Sequence, residues 1–179
     1  VAIRVGGDGK SVCRAMPVFE AFVDKIFHVG ESGTGAAIKL INNLLCGINI
    51  VATMEALVLG VKAGLSVQSL KEVISASSGR SKIFEGLVDT IPNCTSEPPE
   101  GQTANQGLHT IAKDVSLANA MAQNLSVPLV VGSAALQPFL TGLANGWEDK
   151  EHWVIMEFFE QMSGVSVRSP ELTNPKKIH

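Results

Sequence analysis

Residues 34–63 carry one helical pattern that no proline interrupts, and Gly64 follows them as a helix stop. At about 1.5 Å per residue such a helix extends roughly 45 Å. Its stretch 40–54 has no charged residue and is apolar nearly all round, so most of its faces are expected to be buried. That charge-free run holds 15 residues, whereas a membrane span takes about 20. Asn42, Asn43 and Asn49 also break its apolar surface. The pattern therefore predicts a central core helix rather than a membrane span.

Shorter elements flank it. Residues 2–6 and 26–29 read as brief strands, with a helix over 11–23 between them carrying Val12, Val18, Phe19, Phe22 and Val23. Pro17 is expected to kink or interrupt that helix. Two strands alone make no stable sheet, and the chain opens on Val1 directly into the first. Both points predict that the strands complete a larger sheet and that the chain continues a longer polypeptide. Beyond Gly64, Ser66 is placed to cap a helix bearing Leu70, Val73 and Ile74. Ser77-Ser78-Gly79-Arg80-Ser81 ends it, and 83–87 reads as a further helical turn. Residues 91–106, with Pro92, Pro98, Pro99 and Gly101, read as loop. Apolar positions 108, 111, 115, 118, 122 and 125 recur at threes and fours and predict a helix over 106–124. Pro128 suits the first turn of a helix reaching about 143, and a last helix over about 150–163 stops at Gly164. The polar segment from Ser169 to His179 reads as a loose tail. The fold class is mainly α, with a small α/β portion at the N-terminus.

Composition narrows the function. Hydrophobic residues make up 45% of the chain and charged residues 17%, enough to bury a sizeable core. The net charge of −3 and the lack of a basic cluster argue against a nucleic-acid partner. Cys13, Cys46 and Cys94 are odd in number and widely spaced, which gives neither a disulfide framework nor a metal site and suits a reducing, cytoplasmic setting. The sequons at Asn93 and Asn124 are read as chance, since no secretory signal precedes them.

Candidate chemistry centres on Lys39. It stands downstream of Gly30, Gly33 and Gly35 and four residues before Asn43, so both lie on one helix face. A cation so near a helix N-terminus opposes the positive end of the helix dipole, and its neighbours Ile38, Leu40 and Ile41 are apolar. An ammonium beside a carboxamide suits proton donation next to a substrate-orienting amide; the plainer alternative is a surface lysine. Lys113-Asp114 lies off the apolar stripe of its helix, with His109 one turn before, and reads as a solvated face. Gly9-Lys10-Ser11 imitates the end of a phosphate-binding loop, but Arg4 occupies the place of the required glycine. Gly30-x-x-Gly33-x-Gly35 reverses the spacing of a dinucleotide fingerprint.

Val5-Gly6-Gly7-Asp8, Pro17, His28-Val29-Gly30 and Gly33-x-Gly35-x-x-x-Lys39-x-x-Asn42-Asn43 together resemble the β-hydroxyacid dehydrogenases. Glu55-Ala56-Leu57, Ser78-Gly79-Arg80-Ser81, Lys113-Asp114-Val115-x-Leu117-Ala118 and Gly146-Trp147-Glu148-Asp149 continue the match in order, over roughly residues 1–165. The resemblance implies a 6-phosphogluconate dehydrogenase C-terminal-like helical domain built on a long central helix. It divides the chain into a remnant of a Rossmann domain (1–30), an all-α substrate and dimerisation domain (31–165) and a flexible tail (166–179). By matching position Lys39 is the catalytic acid/base, Asn43 a substrate ligand and Lys113 a cofactor contact. NAD or NADP is the implied cofactor, bound mainly by an N-terminal domain that this sequence does not contain. The implied substrate is a short hydroxy acid or its semialdehyde, the implied assembly a homodimer or higher homo-oligomer, and the implied location the cytoplasm or, in a eukaryote, the mitochondrial matrix. Some members carry a phenylalanine just before the Lys-Asp pair, where this chain has Asn105-Gln106-Gly107. A non-catalytic oligomerisation or interaction domain from the same family is the alternative, and the presence of Lys39 weighs against it.

Overall fold

The computed structural model describes residues 2–91 and 107–168. Of the expected loop at 91–106, all but buried Ile91 lies outside the described residues, including Cys94, the Asn93 sequon and Asn105-Gln106. Of the expected flexible tail at 166–179, residues 169–179 lie outside them, whereas 166–168 are fixed by hydrogen bonds to Glu160, with Val167 buried. The chain divides into two compact units, Val1–Leu44 and Leu45–His179.

In the first unit β1 (Ala2–Val5) and β2 (Lys25–His28) pair in parallel, with Ala2 opposite Lys25 and Val5 opposite His28. Parallel strands need a crossover, which α1 (Gly9–Glu20) supplies. The helix starts two residues earlier than its apolar pattern indicates because Asp8 caps it, accepting from Lys10 N at 3.0 Å and Ser11 N at 3.1 Å. The Ser11 side chain, then the two backbone N–H groups, hold the Asp8 carboxyl below the usual carboxylate range. Pro17 sits inside α1 without ending it. The unit closes with the opening turns of α2 (Thr34–Lys62).

The second unit holds the rest of α2, then α3 (Val67–Ser75), α4 (Lys82–Thr90), α5 (Leu108–Asn124) and α6 (Val130–Ala144). A short 3₁₀ turn, His152–Ile155, leads into α7 (Met156–Ser163). Met54, Leu57, Leu108, Val115, Phe139 and Ile155 have no exposed surface and form the core. At Gly47 a Cβ would stand 2.6 Å from Val115 Cγ2 and 3.4 Å from Phe139 Cε2. Hydrogen at that position is what lets α2 approach α5 and α6 so closely. Elsewhere, α4 starts one residue earlier than expected because Ser81 caps it, accepting from Phe84 N at 3.0 Å, and it runs on past buried Leu87 and Val88 to Thr90. Pro128 precedes α6 instead of opening it, and Pro138 lies within that helix.

The buried stretch of α2 begins only at Gly47. Ile41 and Leu45 are 53% and 60% exposed, so the expectation that most faces of the charge-free run are covered holds for its second half only. By length and composition α2 does reach what a membrane crossing requires, with mean hydropathy 2.0 over its most apolar window. Half of that window is buried, which fits the core-helix reading.

Candidate active site

The start of α2 is set by the glycines. Gly33 adopts φ +93°, a conformation that L side chains rarely take, and lets the chain turn into the helix. Its carbonyl accepts from Ala36 N and Ala37 N, and the Thr34 hydroxyl donates to Glu31 O at 2.7 Å. Gly35 serves a different purpose: a Cβ there would lie 2.8 Å from the Arg4 carbonyl oxygen at the strand β1. These contacts fix the first turn, and Lys39 stands on the second.

Lys39 is half-buried, and Asn43, one turn on, is likewise half-buried while Asn42 is exposed. The neighbouring asparagines bond to each other, Asn42 Nδ2 donating to Asn43 Oδ1 at 3.0 Å. This bond orients Asn43, whose NH₂ is then the donor end of its carboxamide. A donor amide one turn from an ammonium can hold a carboxylate or hydroxyl oxygen while the amine handles a proton.

The second group of expected site residues belongs to the second unit. Lys113 is exposed on α5, whereas Asp114 is only 1% exposed. The expectation of a solvated Lys-Asp face therefore holds for the lysine alone: Asp114 stands three residues after Ile111 and one turn before buried Ala118, so it turns inward with the packing row. No side chain caps α5. The loop carrying Gly146-Trp147-Glu148-Asp149 serves instead, with Leu108 N donating to Lys150 O at 2.9 Å and His109 N to Glu148 O at 3.2 Å. His109 adds its ring to this clasp. Nδ1 lies 3.2 Å from the Glu148 carbonyl, to which it donates, and Nε2 lies 3.2 Å from the Thr110 hydroxyl. His109 thus anchors the loop one turn from Lys113. Its spacing was visible in the sequence; its partner, 39 residues away, was not.

A family model described as the NAD-binding domain of NADP-dependent 3-hydroxyisobutyrate dehydrogenase matches residues 33–159. The chain belongs to this 3-hydroxyisobutyrate dehydrogenase-like family. The expected membership among the β-hydroxyacid dehydrogenases is borne out, and so is the mainly helical architecture. The 2-(hydroxymethyl)glutarate dehydrogenase of Eubacterium barkeri is 36% identical over 167 residues, covering 93% of this chain and 54% of that enzyme. The NAD-dependent L-serine dehydrogenase of Pseudomonas aeruginosa is 32% identical over 166 residues, 92% of this chain and 55% of the relative. Among solved structures, a Mycobacterium tuberculosis 3-hydroxyisobutyrate dehydrogenase with L-serine has a TM-score of 0.74 at 28% identity, covering 86% of this chain and 53% of that one. The chain spans about half the length of these family members.

NAD(P) is the cofactor of the family. Lys113, the expected cofactor contact, is exposed on α5, where a compact ammonium can reach a phosphate or a ribose oxygen.

Proposed function

We propose that this chain is the helical half of an NAD(P)-dependent oxidoreductase that interconverts a short β-hydroxy acid and its semialdehyde or keto partner, with Lys39 as general acid/base. The substrate is 3-hydroxyisobutyrate-like or 2-hydroxy-3-oxopropionate-like. The observation that carries the reading is the Lys39–Asn43 pair, one helical turn apart with Asn43 oriented by Asn42, in a chain of this family. In this reading residues 1–30 end the cofactor domain, and 31–165 form a 6-phosphogluconate dehydrogenase C-terminal-like domain.

The bound nicotinamide supplies or removes the hydride. Lys39 as ammonium donates a proton to the carbonyl oxygen during reduction, and as neutral amine accepts the hydroxyl proton during oxidation. Asn43 holds the substrate oxygen through its NH₂ so that the proton's path is short. Lys113 helps to hold the cofactor. The 179-residue chain alone is expected to be inactive.

The test uses the full-length protein, assayed with NAD⁺ and NADP⁺ against 3-hydroxyisobutyrate, L-serine, L-threonate and 2-(hydroxymethyl)glutarate. Turnover of at least one is expected, with Lys113→Ala raising the KM for the cofactor about tenfold or more, the worth of one charge-assisted contact of about 1.5–3 kcal/mol. Silence toward all four with both cofactors overturns the reading.

The proposal includes a homodimer or higher homo-oligomer formed through the helical domain. Its support is apolar surface: Val130 is 81% and Val131 60% exposed, and a groove between α2 and α6 is lined mostly by apolar residues, among them Ile48, Val51, Val131 and Pro138, with Glu55 the one charged residue among those described. Exposed apolar surface is characteristic of interfaces. Sedimentation velocity at micromolar concentration should show a species of at least twice the chain mass; a monomer alone counts against it.

A further inference from the structure

Where α2, α3 and α4 meet, a cavity of about 210 Å³ is lined by Asn49, Ala52, Thr53, Ala56, Ile74, Gly79, Ser81 and Phe84. It shares no residue with the Lys39–Asn43 pair. Three polar side chains border it, and each has hydrogen-bonding capacity that no described residue takes up. Thr53 is only 5% exposed, yet its hydroxyl makes no hydrogen bond to a described residue. A threonine inside a helix ordinarily bonds back to the carbonyl of the preceding turn; Thr53 does not. Asn49, one turn before it, donates Nδ2 to Leu45 O at 2.9 Å, so its Oδ1 remains an acceptor. Ser81 accepts from Phe84 N at 3.0 Å, and its own hydrogen remains to be donated. Ala52, Ala56, Ile74 and Phe84 supply apolar walls.

From this geometry we infer that the cavity is a second binding site, one that takes a small uncharged molecule bearing hydroxyl groups on a short carbon stem. A ligand hydroxyl both donates, as Asn49 Oδ1 requires, and accepts, as Ser81 requires; Thr53 does either. No charged side chain among the described residues lines the space, so an ion entering it gains from them no counter-charge for the water it loses. The volume exceeds what one bridging water fills, since a water takes about 30 Å³ of liquid, and lies below the roughly 300 Å³ at which drug-sized pockets begin. A three-carbon diol fits within it.

The test titrates the ¹⁵N-labelled full-length protein with propane-1,2-diol, using lactate and 1-aminopropan-2-ol as anion and cation of nearly the same skeleton. Saturable amide shifts at Asn49, Thr53 and Ser81 are expected, with a dissociation constant on the order of millimolar for a ligand this small. Thr53→Val, which keeps the side-chain shape and removes the hydroxyl, should weaken binding about tenfold, the worth of one hydrogen bond in a buried site. Ala56→Met should abolish it by filling the space, and both ionic analogues should bind at least about tenfold more weakly than the diol. Shifts that rise linearly without saturating, or equally in Thr53→Val, indicate an adventitious additive only and overturn the assignment. Lactate binding as tightly as the diol overturns it too. Should Thr53→Val fail to give a dispersed spectrum, Ala56→Met and the charge series in the unaltered chain still decide.

Discussion

Replacing Lys39 by alanine in the full-length protein is expected to lower kcat by about 10²–10⁴-fold, the usual contribution of a positioned general acid or base. The effect should fall on kcat more than on substrate KM, because proton transfer is completed only in the transition state whereas the ground-state grip is assigned to Asn43. Asn43→Ala should show the complementary split, with a larger change in KM. Lys39→Arg separates two readings of the lysine. Arginine keeps the positive charge but does not give up its proton in the accessible pH range, so oxidation, which needs a neutral base, should stay as impaired as in the alanine variant. Recovery of oxidation in the arginine variant would mean that charge, not proton transfer, is what the position supplies. Activity within threefold of the unaltered enzyme in Lys39→Ala would remove the lysine from the mechanism. Asn42 enters as a positioning residue: its bond to Asn43 Oδ1 aims the neighbouring amide, so Asn42→Ala should act on substrate KM and leave the pH profile of kcat in place.

Periodicity made the helices legible, and tertiary packing hid the rest. The spacing of Leu108, Ile111, Val115, Ala118, Ala122 and Leu125 predicted α5 to within two residues, and all are buried but Ile111 and Leu125, which is 67% exposed just past the helix end. Gly64 and Gly164 marked the ends of α2 and α7 because both stand at positive φ. The starts of α1 and α4 were misjudged where a cap, Asp8 or Ser81, begins the helix ahead of its first apolar side chain, while α1 stops at Glu20, short of the expected Val23, and α4 runs past Leu87 to Thr90. Lys39 and Asn43 could be proposed because three or four residues along a helix is one turn. The Asn42–Asn43 bond was hinted at by the adjacent amides but not fixed by them. His109 on the Glu148 carbonyl depends on residues brought together only by folding. Asp114 illustrates the limit best. A charge placed off an apolar stripe reads as solvated, and only the packing around Ala118 shows that it is buried.

The largest loss of stability is expected at Glu160, a carboxylate only 7% exposed near the end of α7. Its Oε1 accepts from Val167 N at 2.7 Å, Arg168 N at 3.2 Å and the Ser166 hydroxyl at 3.3 Å. Its Oε2 takes Arg168 Nε at 3.1 Å and Nη2 at 2.6 Å, while Arg168 Nη1 reaches Glu157 at 3.0 Å. Burial works against the Arg168 charge, but the bonds to Glu160 and then Glu157 outweigh it and push the guanidinium above its ordinary value. Glu160→Ala strips the partners from two backbone N–H groups and from a half-buried cation at once. Breaking a buried pair from one side costs about 3–5 kcal/mol. Arg168 keeps 32% of its side chain exposed, which places the expected loss near the lower limit, about 3 kcal/mol, or a fall in Tm of about 6–12 °C for a domain of this size. Glu157→Ala serves as the comparison, since it removes the more exposed arm of the Arg168 pairing and should cost about 1 kcal/mol or less. Glu160→Gln retains an acceptor for Val167 N and Arg168 N while losing the charge, and should fall between the two. A thermal shift for Glu160→Ala no larger than that for Glu157→Ala would show that residues 166–168 are held by something other than this carboxylate.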